Sequence, residues 1–449
     1  MVTLLENAAR RSADYLQLIQ TRAVAPDAAA LADLRRLDEA LPPGPSDPAA
    51  TLALLDEVVS PATMGMAGPR FFGFVIGGSL PAALAASWLS SAWDQNCGYY
   101  SSTPGVAELE SIALRWLIEL FGLPLNCAAG FVTGATVANF TALAAARNSV
   151  LKRVGWNVEA DGLFGAPEIT VLAGDEAHPT LLKSLGMLGL GRARIVRVPV
   201  DDQGRMRPGA LPRIAGPTIL CLQAGNVNTG AFDSFVPLIE QAHAADAWVH
   251  VDGAFGMWAK TAPGLHHLVT GLEAADSWAT DAHKWLNVPF DSGIAFVRDA
   301  DALRAAMAIT AEYLPVQSGE REPSDYTPEL SRRARGVEVW AALRSLGRAG
   351  VAEMIERNCR QARRFAEGLS AAGYEVLNDV VLNQTIVAFG DAARTRRVVA
   401  AVQADGTCWC GITVWQGKTG MRISVCNWST TDADVETSLA AILRVAAGG

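Results

Sequence analysis

No run of apolar residues reaches the about 18 that a membrane-spanning helix needs. The best stretch, Leu80 to Trp93, is short and broken by serines, so it reads as a core or interface helix and argues against a membrane role. The start, Met1-Val2-Thr3-Leu4-Leu5-Glu6, lacks a basic segment leading into a long apolar one, so a signal peptide is not expected and the expected location is cytoplasmic. Cysteine is sparse. Seven are scattered along the chain, an odd number that suggests no disulfide framework. Cys408-Trp409-Cys410 is the one close pair, and with no second Cys/His cluster to complete a ligand set it reads as buried thiols; no metal site is expected. The net charge of −9 comes without an acidic tail, and no lysine or arginine run is interleaved with aromatics, so nucleic acid is not an expected partner.

Hydrophobic residues are plentiful, at 50 % of 449, which is more than one ordinary core would use. The first part of the chain has apolar positions at helical spacing, including Leu4, Leu5, Ala8, Tyr15, Leu16 and Ile19, with a break at Pro42-Pro43-Gly44-Pro45. Short apolar runs then alternate with helical stretches: Phe131-Thr133, Ile169-Ala173, Ile195-Val200, Thr218-Gln223, Trp248-Asp252, Ser277-Thr280 and Ile294-Val297. That alternation predicts an α/β domain with a mostly parallel seven-stranded sheet flanked by helices, whose ligands gather at the C-terminal ends of the strands. The polar segment Gln317 to Glu329 reads as a mobile loop, and the remainder as a small α+β module. The expected division is a helical N-terminal segment at 1–80, a large domain at 81–345 and a small C-terminal domain at 346–449.

Asp281-Ala282-His283-Lys284-Trp285-Leu286 is the most telling stretch. A solvated lysine is protonated and a poor nucleophile, whereas one fixed in an apolar setting can form a Schiff base with an aldehyde cofactor. The apolar residues after Lys284 promise such a setting. Asp252 ends the buried run Ala247-Trp248-Val249-His250-Val251, so its carboxylate emerges at a strand end, where it can pair with a protonated pyridine nitrogen. These two halves point to pyridoxal 5'-phosphate. Phe131 to Asn139 reads as strand, small-residue turn and helix start, in which Ala135, Thr136 and free N–H groups suit an anion; an ordinary strand-to-helix turn is the alternative. His178 could stack on a flat ring or simply enter a helix. Asn228, in Gln223 to Gly230, could meet the cofactor's phenolic oxygen or merely close a turn, and Asp281 reads as orienting its loop.

Taken together, Thr133-Gly134-Ala135-Thr136, Ala177-His178, Ala224-Gly225-Asn226, His250-Val251-Asp252-Gly253-Ala254 and Asp281-Ala282-His283-Lys284-Trp285-Leu286 resemble the pyridoxal-dependent group II decarboxylases of fold type I. These include the aromatic amino acid, histidine and glutamate decarboxylases. The resemblance runs from about Pro69-Arg70-Phe71-Phe72 to Met421-Arg422-Ile423-Ser424-Val425. It implies that Lys284 anchors the cofactor, Asp252 holds its pyridine nitrogen, His178 stacks on one face and Ala254 packs on the other, and Ala135, Thr136 and His283 line the phosphate. It implies a homodimer with shared active sites, the N-terminal segment packing on the partner subunit, and a substrate pocket near Phe71, Phe74, Trp93, Asn96, Tyr99 and Tyr100. Tyr326 would protonate the substrate's Cα, with Tyr313 the second choice. Ala135, Phe255 and Ser292 depart from frequent family residues without removing a catalytic group. Phe74-Val75-Ile76-Gly77-Gly78 lacks the proline-threonine pair of the aromatic amino acid enzymes, which leaves the amino acid open.

The expected reaction is decarboxylation of an L-amino acid to an amine and CO₂. The alternatives are another pyridoxal reaction, transamination or decarboxylation coupled to aldehyde formation, because a fold does not dictate which bond breaks. Arg422 discriminates: as a clamp on the α-carboxylate it would favour transamination. A cofactor-free regulatory subunit is a further alternative, disfavoured by intact Lys284, Asp252 and His178.

Overall fold

The computed structural model of the protein describes residues 1–309 and 319–448. Tyr313 lies outside them. Among the described residues the strands, in chain order, are β1 (Phe71–Phe72), β2 (Ala128–Val132), β3 (Thr170–Gly174), β4 (Val196–Val198), β5 (Thr218–Gln223), β6 (Trp248–Asp252), β7 (Ser277–Asp281), β8 (Gly293–Val297), β9 (Glu375–Val376), β10 (Gln384–Ala388), β11 (Trp409–Trp415) and β12 (Lys418–Ser424). The chain forms two units, one of residues 79–360 and 378–384, the other of 1–78, 361–377 and 385–449.

The larger unit holds the seven-stranded sheet, in the order β2-β8-β7-β6-β5-β3-β4. Pairing is parallel from β4 through β3, β5, β6 and β7, and antiparallel where β8 joins β7 and β2. This is the mostly parallel α/β architecture that the alternation of apolar runs predicts, and the fold type I that the family resemblance implies. Two antiparallel steps restore direction, so β2 and β7 end on the same side. Both Val132 and Asp281 pair with Gly293 of β8. A Cβ at Gly293 would come within 2.4 Å of the Gly134 Cα, so this meeting of two strand ends requires glycine.

The helix Ala135–Lys152 packs on this sheet through small residues, Ala138, Ala142, Ala145 and Ala146, all fully buried. Small side chains let the helix backbone approach closely, and Val132, Ala138, Ala279 and Ala295 form one apolar cluster. Four tryptophans are fully buried and each ring N–H has a partner: Trp248 with Ser277 Oγ at 2.8 Å, Trp258 with the Asp281 carbonyl at 2.9 Å, Trp278 with the Leu272 carbonyl at 2.9 Å, and Trp285 with Asn358 Oδ1 at 3.0 Å.

The segment after residue 318 differs from the mobile loop its polarity suggests. Glu322 and Pro323 to Asp325 are buried, Arg321 bonds Glu110 at 3.0 Å, and the Glu322 carboxylate accepts from the Tyr100 N–H at 2.7 Å. Arg321 is thus paired inward with fully buried Glu110, which Arg332 also meets at 2.7 Å.

The other unit contains the helices Val2–Leu18, Ala28–Asp33 and Pro48–Ala62. Asp27 and Asp47 cap the second and third, as short acidic side chains do when they accept orphan N–H groups. A five-stranded sheet, β1-β11-β12-β10-β9, carries the C-terminal helix Asp432–Gly448. Thr431 Oγ1 accepts from the Asp434 N–H and the Asp434 carboxylate accepts from the Thr431 N–H, a reciprocal cap at the start of that helix. Arg422 lies on β12 opposite Gly411. No helix among the described residues is long and apolar enough to cross a membrane, and all seven cysteines are free and buried.

Candidate active site

Lys284 follows β7 in a short turn and stands half-buried with its Nζ 2.9 Å from Asp281 Oδ2. Asp281 is buried, and its other oxygen accepts from the Ala135 N–H at 2.6 Å, the first residue of the helix Ala135–Lys152. Thus one carboxylate ties the lysine to a helix N-terminus, where the unpaired amides and the dipole favour an anion. Thr136 stands in that first turn, half-buried. Gly134 precedes it, and a Cβ there would sit 3.1 Å from His283 Cε1. His283 accepts from the Ser292 N–H through Nδ1 at 3.1 Å and stacks on Phe290. Burial lowers its pKa, with Asp281 pulling the other way, so a neutral imidazole is favoured.

Asp252, at the end of β6, is 3 % exposed. Burial raises its pKa, against the pull of His178, then Lys284, then hydrogen bonds from the Ala254 N–H at 3.2 Å and Asn139 Nδ2 at 3.2 Å. The carboxylate therefore shares one electrostatic neighbourhood with Lys284 and His178, and its desolvation cost would be offset by a cation at the same place. His178 is set at the start of the helix Pro179–Met187, with Nδ1 2.6 Å from Thr180 Oγ1 and accepting from the Thr180 N–H. Asn228 sits in a turn organised by Asn226, whose Oδ1 accepts from the Asn228 N–H at 2.8 Å.

A buried carboxylate, a lysine tied to a helix N-terminus and a fixed imidazole are a donor set that suits an aldehyde-bearing pyridinium phosphate. Lys284 would hold its aldehyde carbon, Asp252 its ring nitrogen, His178 and Ala254 its faces, and Thr136, His283 and the helix start its phosphate.

Phe71 and Phe74 belong to the other unit, where each stacks on Trp409. Trp93 ends the helix Pro81–Trp93, largely exposed. Asn96 accepts from the Arg332 N–H at 2.9 Å, and Tyr99 and Tyr100 follow it half-buried. Tyr326 makes its contacts at the other end of β2. Its ring lies under the Arg321 guanidinium, 4.3 Å from centroid to Cζ, and packs on the core cluster that includes Ala128, Val297 and Leu303. Ala128 begins β2, whereas Gly134 and the lysine stand beyond its other end. Asn139 and His250, which the sequence reading passed over, lie beside Asp252; the two-residue strand period that sets His250 on the same face as Asp252 was the available signal.

Fold and site together define the class, a mostly parallel α/β scaffold of the pyridoxal-dependent kind with a lysine just beyond the C-terminal end of β7. Residues 32–390 match the family described as "Pyridoxal-dependent decarboxylase conserved domain", and the chain belongs to that family. It is 29 % identical to tryptophan decarboxylase 1 of Oryza sativa subsp. japonica, over 84 % of this chain and 80 % of that protein. It is 28 % identical to the aromatic-L-amino-acid decarboxylase of Bacillus atrophaeus, over 75 % and 70 %. It is 26 % identical to phenylacetaldehyde synthase of Arabidopsis thaliana, over 87 % and 85 %. The crystal structure of Oryza sativa TDC with PLP and tryptamine has the same fold, with a TM-score of 0.92 at 23 % identity over 99 % and 97 % of the two chains.

Proposed function

We propose that this chain is a pyridoxal-phosphate-dependent carboxy-lyase that removes the α-carboxylate of a small-molecule L-amino acid as CO₂ and leaves the corresponding amine. The observation that carries the reading is buried Asp252 at the end of β6, within electrostatic reach of His178 and Lys284. When bound, the cofactor supplies a protonated conjugated ring that accepts the electron pair left as CO₂ departs.

The protein's own groups do the rest. Asp252 keeps a negative charge where the ring nitrogen would hold its proton. Lys284 Nζ is held by Asp281 Oδ2, a partner that orients the amine. The helix start at Ala135 and Thr136 fixes an anionic tail without a buried cation, which pins the position of the reactive end. His178, locked by Thr180, offers a flat face that excludes water from one side of the ring. The names of the relatives, tryptophan, tyrosine and aromatic-L-amino-acid decarboxylases, support an aromatic substrate. The aldehyde synthases among them support a second reading, in which decarboxylation ends in an aldehyde. The homodimer and the cytoplasmic location belong to this proposal.

The test is to incubate the protein, loaded with pyridoxal phosphate, with each of the twenty amino acids and measure CO₂, amine, aldehyde, peroxide and keto acid. Stoichiometric CO₂ and amine are expected from an aromatic amino acid. Keto acid without CO₂ would defeat the proposal, and aldehyde with peroxide would select the second reading. Lys284→Ala should abolish the visible absorbance of the bound cofactor; an unchanged spectrum would show that the anchor lies elsewhere.

A further inference from the structure

Four buried side chains connect Asp252 to the interior of the sheet. His250 precedes it by two positions on β6, and Asn139 faces both from the helix Ala135–Lys152. Asn139, His250 and Ser277 are fully buried. Trp248 Nε1 donates to Ser277 Oγ at 2.8 Å, Ser277 Oγ is 2.9 Å from His250 Nδ1, His250 Nε2 is 2.8 Å from Asn139 Oδ1, and Asn139 Nδ2 donates to Asp252 Oδ2 at 3.2 Å.

The proton inventory gives this chain a direction. An indole N–H only donates and an ionised carboxylate only accepts. With Trp248 donating to it, the Ser277 oxygen can pass its own proton to His250 Nδ1. At the other end, Asp252 requires the NH₂ of Asn139, which turns Oδ1 toward His250 and requires a proton on Nε2. A neutral imidazole with its proton on Nε2 satisfies both neighbours at once.

We propose that His250 and Asn139 are positioning residues for the cofactor: His250 locks the Asn139 amide so that it donates to Asp252, keeping that carboxylate ionised and aimed at the pyridine nitrogen. Without the imidazole, the amide is free to turn its oxygen toward the carboxylate, an arrangement of like partial charges. Asp252 would then keep only the Ala254 N–H of these two donors. Burial supports the neutral imidazole, pushing the His250 pKa down to about 3. The groups against His250 are Asn139, Ser277 and, opposite it on β5, the Cys221 thiol, which burial keeps protonated. The inference rests on the pyridoxal reading above.

The experiment compares wild-type holoenzyme with His250→Phe and His250→Gln, and uses Lys284→Ala as control. It reads the dissociation constant for pyridoxal phosphate, the pH dependence of the bound cofactor's absorbance, and the ¹⁵N NMR signals of the histidines. A hydrogen bond to a buried charge predicts that His250→Phe weakens cofactor binding about tenfold or more and moves the pH profile. Glutamine can donate to Asn139 and accept from Ser277, so His250→Gln should restore both to within about threefold of wild type. The resonances lost in His250→Gln should report neutral imidazole protonated on Nε2 from about pH 5 to 8. Wild-type affinity and pH profile in His250→Phe, glutamine no better than phenylalanine, or a proton on Nδ1 would each overturn the proposal. Wild-type protein that binds no pyridoxal phosphate would overturn the functional reading instead, and the NMR signals would still decide the hydrogen-bond chain.

Discussion

Acid should expose His250 as a weak point of the fold, by an amount that follows from its burial. An unfolded chain binds a proton on this imidazole near pH 6.5, whereas the folded protein resists it down to about 3. Between those values the unfolded state holds more protons, so the linkage slope is positive. The stability at stake is fully present above pH 6.5 and is lost progressively as the pH falls. At pH 4 the unfolded chain lies about 2.5 pH units below its titration point, which at about 1.4 kcal/mol per unit makes a deficit of about 3 kcal/mol. His250→Gln cannot bind that proton. Urea unfolding of both proteins at pH 7 and pH 4 should therefore show wild type losing about 3 kcal/mol more than the variant. Buried Asp233 acts in the opposite sense: burial raises its pKa to about 6, so the folded state gains stability as the pH falls through the range between 3.8 and 6. Both proteins share that contribution, and it cancels in the comparison. Equal losses on acidification in wild type and variant would refute a buried, neutral His250.

Tyr326→Phe removes only a phenolic oxygen from a ring held under Arg321, so the ratio of amine to aldehyde should not change; a shift toward aldehyde, measured by product analysis, would return this tyrosine to the chemistry. Glu110→Gln leaves Arg332 and Arg321 facing a neutral side chain in a buried site, and removing one partner of a buried ion pair predicts a loss of about 3 to 5 kcal/mol. Urea unfolding at neutral pH measures this, and an unchanged midpoint would show that the arginines find other partners.

The strands most legible in the sequence were those rich in β-branched and aromatic residues. Thr218–Gln223 and Trp248–Asp252 match their apolar runs residue for residue. β2 begins at Ala128, ahead of the expected Phe131, because Ala128-Ala129-Gly130 has little strand propensity of its own and is held by pairing with β8. The same division between local and tertiary information applies at the site. Lys284 and Asp252 announce themselves because each borders an apolar run, the first preceding it and the second ending it, where a charged side chain demands an explanation. Asn139 sits in the middle of an alanine-rich helix and carries no such signal; only the order of the strands brings it to Asp252. The segment around Arg321 misleads for the complementary reason, since a polar stretch looks like a solvent loop until Glu110 is known to lie beneath it. Reactive groups are placed at chain ends of regular elements, where sequence reports them. The groups that hold those reactive residues in one charge state come from the elements packed behind, and a substitution at His250 or Asn139 should therefore disturb the chemistry of Asp252 without touching a single residue of the lysine motif.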